Sequence, residues 1–292
     1  SITKQIANMH TLFNISTTIL LIPFGNYLAK LATKILPEKE EEKEHHKHLK
    51  YIKSVDTRVD ATFGTSAINL QNLRNEIQRM LEMARVNVDE SFDAFLAGSS
   101  KSLDDVDKRE DYIDYLNKEI SRAAAKMMAH EANVKASKNI GSYLDMTSNI
   151  ERIGDHAENF ADYTKTELKH NTGLTGDAKE EIKKMYEAVS KLLKLSLESF
   201  MAQDGVNTQE DKLAEIAALE ASIDKMERRY QKHHIKRLAK GDCEPRAGLL
   251  FSDMLSELER IADHSVNIAY SMSDEDEDEM LAAENEALAT NN

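Results

Sequence analysis

With 292 residues and a net charge of −14, the chain has room for one large domain or two small ones, and it lacks the basic balance of a general nucleic-acid binder. Ten Gly, three Pro and no Trp, against abundant Ala, Leu, Glu and Lys, predict a nearly all-helical fold. Cys243 is the only cysteine, which excludes an internal disulfide and a CxxC zinc pattern.

The first predicted element is a membrane helix. The run Gln5–Ala29 carries no Lys, Arg, Asp or Glu, and about 20 apolar residues cross a bilayer core. Residues 1–36 are therefore expected to be a terminal transmembrane segment. Lys30 and Lys34 flank its C-terminal end and Lys4 its N-terminal end, a balance that leans toward a cytoplasmic C-terminal side. A hydrophobic helix that begins almost at Ser1 reads as cut from something longer. Residues 37–50, with the stretch EKEEEKEHHKHLK, are expected to form a charged linker.

Two three-helix units follow, residues 51–170 and 171–272. In the first, Leu73, Ile77, Met80, Leu81, Ala84, Val88, Phe92 and Phe95 form one apolar stripe at helical spacing. Gly98-Ser99-Ser100 breaks it, and helices are predicted from about Leu103 to Ala129 and from about Val134 to Thr166. NTGLTGD connects the halves, with Asp177 as the expected helix N-cap. The order then repeats: a stripe through Ile182, Met185, Val189, Leu192, Leu193, Ser196 and Phe200, a helix from about Leu213 to Leu238, the turn GDCEP, and a helix to about Tyr270. Residues 273–292 are expected to be an acidic, disordered tail.

Acidic pairs recur in register across this repeat. ERIGDHAEN (Glu151 to Asn159) returns as ERIADHSVN (Glu259 to Asn267), and EDYID (Glu110 to Asp114) returns as EASID (Glu220 to Asp224). Like charges one helical turn apart repel, so the repetition asks for a reason. At about 100° per residue, Asp155 lies roughly 40° round from Glu151, and Asn159 about 80°. Glu151, Asp155 and Asn159 thus form an oxygen-rich stripe, as do Glu259, Asp263 and Asn267. If the second and third helices of each half pack antiparallel, Glu110 and Asp114 face Glu151 and Asp155, and Glu220 and Asp224 face Glu259 and Asp263. Four carboxylates converging in a bundle hold metal ions. The all-oxygen set suits Fe, Mn, Mg or Ca, divalent or ferric, and not structural zinc. Single acidic pairs are ordinary solvated helix surface, and Arg152 and Arg260 are an alternative relief for the repulsion. His156 and His264 lie farther round and border the stripe. No Ser-His-Asp order, P-loop or Glu-x-x-His di-iron pattern stands out, so no enzyme is expected.

LERIADHSVNIA and IERIGDHAEN resemble the third-helix motif of the PhoU family. HHIKRLAKGDCEPRAGLLFSDML resembles the PhoU-like domains fused to bacterial sodium/phosphate cotransporters, and ANMHTLFNISTTILLIPF resembles that family's last membrane helix. The resemblance implies an all-α chain: one N-terminal transmembrane helix, then a duplicated three-helix bundle. It implies metal binding at the acidic positions named above, a cell inner-membrane location with a cytoplasmic bundle, and regulation of phosphate uptake. Its partners would be the membrane, a missing N-terminal transporter core that moves sodium and phosphate, and a second copy in a homo-oligomer. Two other readings compete: a membrane-anchored PhoU-type adaptor acting on a separate transporter and sensor kinase, and a purely structural bundle with decorative carboxylates. The first half departs from the pattern, since EDYIDYLNKEI is followed by AAAKMMAH, without the histidine-rich stretch of the second.

Overall fold

Leu73, Ile77, Met80, Leu81, Ala84, Val88, Phe92 and Phe95 are all buried. Their spacing puts them on one stripe, so the segment folds as a single long helix, α1 (Thr65–Ala97). Gly98 ends it: its φ of 59° is left-handed, and the Ser99 N–H reaches back to the Ala94 carbonyl at 3.0 Å. The second helix, α2 (Leu103–His130), opens with Asp104 and Asp105, which favour the positive end of the helix dipole. The third, α3 (Val134–His170), is capped by Asn133, whose side chain accepts the Ala136 N–H at 3.1 Å. It stops at Asn171, which takes a left-handed φ of 45°.

The second half repeats this plan as α4 (Gly176–Met201), α5 (Val206–Lys240) and α6 (Pro245–Tyr270). Here the cap differs from expectation. Thr175, not Asp177, accepts the Ala178 N–H at 3.2 Å, because the helix starts earlier, at Gly176, and Asp177 falls in its first turn. Gly241, at φ 76°, closes α5, and Pro245 opens α6 at a position where its missing N–H has no helical partner to lose.

This computed structural model describes residues 9–10, 13, 47–52, 65–130, 133–171, 173–201 and 206–271. The chain divides into two units, Ser1–His48 and Leu49–Asn292, and all six helices belong to the second. No described helix is both long and apolar enough to cross a membrane. The expected transmembrane run Gln5–Ala29 lies outside the described residues, save Met9, His10 and Phe13, as do residues 37–46 of the expected linker and the tail 273–292.

Within each half the three helices pack on one another, and α3 against α6 joins the halves, supplemented by α1 against α4. Pairings fix the directions. Lys165 meets Asp107 at 3.0 Å while Glu151 senses Asp114, so α2 and α3 are antiparallel. Gln231 meets Ser252 at 2.9 Å and Lys191 meets Glu215 at 2.9 Å, so α5 runs against α6 and α4 in the same way. Arg74 donates to the Phe200 carbonyl at 2.6 Å, and the Tyr186 hydroxyl donates to Asp89 at 2.7 Å, which sets α1 against α4. Phe92 stacks on Tyr186 with ring centroids 3.6 Å apart and touches Phe160, so the aromatic core is continuous across the halves.

Candidate metal sites and the seam between the halves

The antiparallel hairpins bring the acidic pairs together as the repeat requires. Between α5 and α6, ligand oxygens of Asp224, Glu259 and Asp263 all lie within 4.8 Å of one another. They open onto a cavity of about 350 Å³ that is also lined by Glu220, Asn267 and Tyr270. Burial pushes the Glu259 carboxyl up to about 7, reinforced by Asp263, Asp224 and Glu227. Arg228 bonds Asp224 at 3.3 Å from the rim. Three carboxylates this close, with Glu259 among them reluctant to ionise, form a site that favours a bound cation.

The first half gathers the same residue types more tightly folded in. Glu110 is buried, and its Oε1 has no hydrogen-bond partner. Burial raises its carboxyl to about 8, with Asp114, Asp155, Glu158 and Glu151 adding to the shift. Burial likewise raises Glu151, reinforced by Asp155 and Asp114, and raises Asp155, reinforced by Asp114. A hydrogen bond links the Asp155 and Glu110 carboxyls, and Asn117 supports Glu151. Among the described residues, only the second half brings three ligand oxygens within 4.8 Å. Gly154 stands where the second motif has Ala262, and a Cβ there would sit 3.4 Å from Glu110 Oε1. Glu110 packs against this glycine, whereas its counterpart Glu220 lines the open cavity.

Asn159 and Asn267 do not behave as simple stripe extensions. Asn159 reaches to Glu257 at 3.5 Å, away from its own carboxylates. Asn267 bonds Asn149 at 3.3 Å while still lining the cavity.

The recurring histidines have a role that the stripe geometry missed. His156 Nδ1 lies 2.6 Å from Glu257 Oε2, and His264 Nδ1 lies 2.9 Å from Asn149 Oδ1. Asn149 and Glu257 each stand two residues before a motif glutamate. Each half's histidine and asparagine therefore grip the corresponding residue of the other half. The two rings stack between α3 and α6, with centroids 5.5 Å apart and planes 15° off parallel. Tyr163 adds a third contact to Glu257 at 3.4 Å. Burial lowers His264 to about 4, helped by His156, Arg152 and Arg260, so it is neutral. The signal was present in the sequence as matched register, but polarity two residues upstream of a motif carries no meaning until the halves are docked.

A family model for the PhoU domain matches residues 77–164 and 182–272, one match to each half. Among curated proteins, the chain is similar to the phosphate-specific transport system accessory protein PhoU homolog of Clostridium acetobutylicum. The two are 24% identical over 205 residues, covering 70% of this chain and 90% of that one. It is also similar to the PhoU homolog 1 of Thermotoga maritima, 22% identical over 197 residues, covering 67% and 82%. Two solved structures share the fold. PhoU from Pseudomonas aeruginosa superposes with a TM-score of 0.63 at 20% identity, covering 70% of this chain and 95% of that one. The phosphate transport system regulatory protein PhoU from Streptococcus pneumoniae also reaches 0.63 at 20% identity, covering 72% and 98%. A duplicated three-helix bundle with both halves matched makes this chain a member of the PhoU domain family.

Proposed function

We propose that this chain is a PhoU-type accessory protein that regulates phosphate transport, acting by binding and not by catalysis, with metal ions held between α2 and α3 and between α5 and α6. The observation that carries the metal reading is the matched placement of carboxylates in both halves, closest at Asp224, Glu259 and Asp263. The residues fit a hard cation: the donors are oxygens, and Glu110 Oε1 is buried without a partner. Fe, Mn, Mg or Ca would let Glu110 and Glu259 ionise at neutral pH. The full chain is expected to copurify with, or take up, one of these metals. Replacing Glu151, Asp155, Glu259 and Asp263 with Ala is expected to remove it, read by elemental analysis. Equal metal content in wild type and variant would overturn the assignment.

The finer reading joins this bundle to a sodium-dependent phosphate symporter through the apolar run Gln5–Ala29. That run and the motif resemblance support it, and the family match begins only at residue 77, leaving the run as an addition to a PhoU-type body. The alternative is a membrane-anchored adaptor acting on a separate transporter and kinase. Sequencing upstream of the Ser1 codon separates the two. Several hundred codons of apolar helices favour the symporter, and a nearby start codon favours the adaptor.

A further inference from the structure

The α5–α6 hairpin carries a surface that neither the carboxylate sites nor the fold requires. From Arg228 to Leu249 there are seven Lys or Arg and two acidic residues, in a chain whose net charge is −14. Lys232, Lys236, Lys240 and Arg246 are exposed, and among the described residues none lies within ion-pair reach of a carboxylate. Some exposed lysines elsewhere do find partners: Lys118, Lys184 and Lys191 each sit within 4.0 Å of one. Beside these cations stand bare apolar side chains. Ile235 is 62% exposed and Leu249 67%. Leu238, 37% exposed, leans toward Gly248, the neighbour of Leu249. At helical spacing, Ile235 and Leu238 border the arc of Lys232, Lys236 and Lys240. Asp242 and Glu244 lie in the turn, so the attractive surface is the outer flank of the hairpin and not its tip.

Unpaired cations interleaved with exposed aliphatic side chains on a convex helical flank match the chemistry of an anionic bilayer surface. Lipid phosphates and carboxylates take the cations, and the aliphatic groups enter the headgroup–acyl boundary. An amphipathic partner helix would instead lay its apolar face in a concave groove. We infer that the outer flank of the α5–α6 hairpin docks on anionic lipid.

Cys243, the only cysteine, sits in the turn of this hairpin and provides a local reporter. The full chain is labelled there with an environment-sensitive fluorophore. It is then titrated with phosphatidylcholine vesicles and with vesicles containing phosphatidylserine. Insertion through Gln5–Ala29 would occur with both, so the difference between them is the readout. The serine lipid is expected to shift the emission at low salt, and high salt to reverse the shift. Lys232→Glu/Lys236→Glu/Lys240→Glu is expected to weaken the lipid-dependent response by about 100-fold. Ile235→Ser/Leu249→Ser, which leaves the charge intact, is expected to weaken it less. Three results would overturn the assignment: equal response to both vesicles, a charge-reversed variant that responds like wild type, or an equal response to polyglutamate, which would point to an acidic protein.

Discussion

Gly154 and Ala262 hold the same place in the two ERIxD motifs, and Glu110 packs against the first. Burial there, with Asp114 and Asp155 close by, raises the Glu110 carboxyl to about 8. Gly154→Ala is expected to crowd Ile113 slightly and to pack against the Glu110 carboxyl without displacing it, since the added carbon would lie 3.3 Å from Ile113 and 3.4 Å from Glu110. Glu110 should then stay raised above the ordinary carboxylate range, since burial and the neighbouring carboxylates both favour its protonated form, measurable by carboxyl-carbon NMR. Both Glu110 and Glu259 titrate higher in the folded protein, at about 8 and about 7, than the 4.5 of an unperturbed glutamate. Between those values the unfolded chain has released protons that the folded chain retains. In metal-free protein these two groups therefore favour the folded state most at low pH, and that contribution is lost as pH rises through 4.5 to about 8. With solvent screening, the loss is on the order of 1–3 kcal/mol. Melting in chelator from pH 5 to 8.5 checks this. Glu110→Gln/Glu259→Gln should flatten the slope, and Mn²⁺ should restore stability at the alkaline end. The carboxylate positions were legible from spacing alone, because period and repeat fix a helix face. The protonation states were not, because they depend on how deeply each carboxylate is buried once the helices pack.

At the scale of elements, the apolar stripes and the breaks at Gly98 and Gly241 were readable, since backbone conformation there is a property of the residue itself. The cap of α4 was misread because Thr175 and Asp177 are both good capping residues, and the choice turns on where the chain leaves Asn171. Gly248 shows a tighter dependence. It lets α6 approach α5 so closely that a Cβ there would meet the His234 ring at 2.3 Å, with that ring already packed on Phe251. Gly248→Ala is expected to destabilise the protein by about 1–3 kcal/mol through overpacking, read from denaturant unfolding. Adding His234→Ala should recover part of the loss, because it removes the obstacle.

For the molecule as a whole, α3 and α6 stand apart: each packs on both helices of its own half and on the other. Their amides at Ile150–Ala157 and Leu258–Val266 should exchange with deuterium most slowly, while α2 and α5, which serve one half each, should exchange faster. The duplication was legible from the motifs, and it correctly implied two like bundles. How the halves meet was not, because the joint uses His156, His264, Asn149 and Glu257, ordinary polar residues until they face each other. A homodimer built from one such half would have to repeat the same chemistry on both sides of the joint, since one coding sequence writes both. Joining the halves in a single chain removes that restriction. One side carries a glutamate and the other an asparagine, so a joint of two-fold form holds an acid on one side alone.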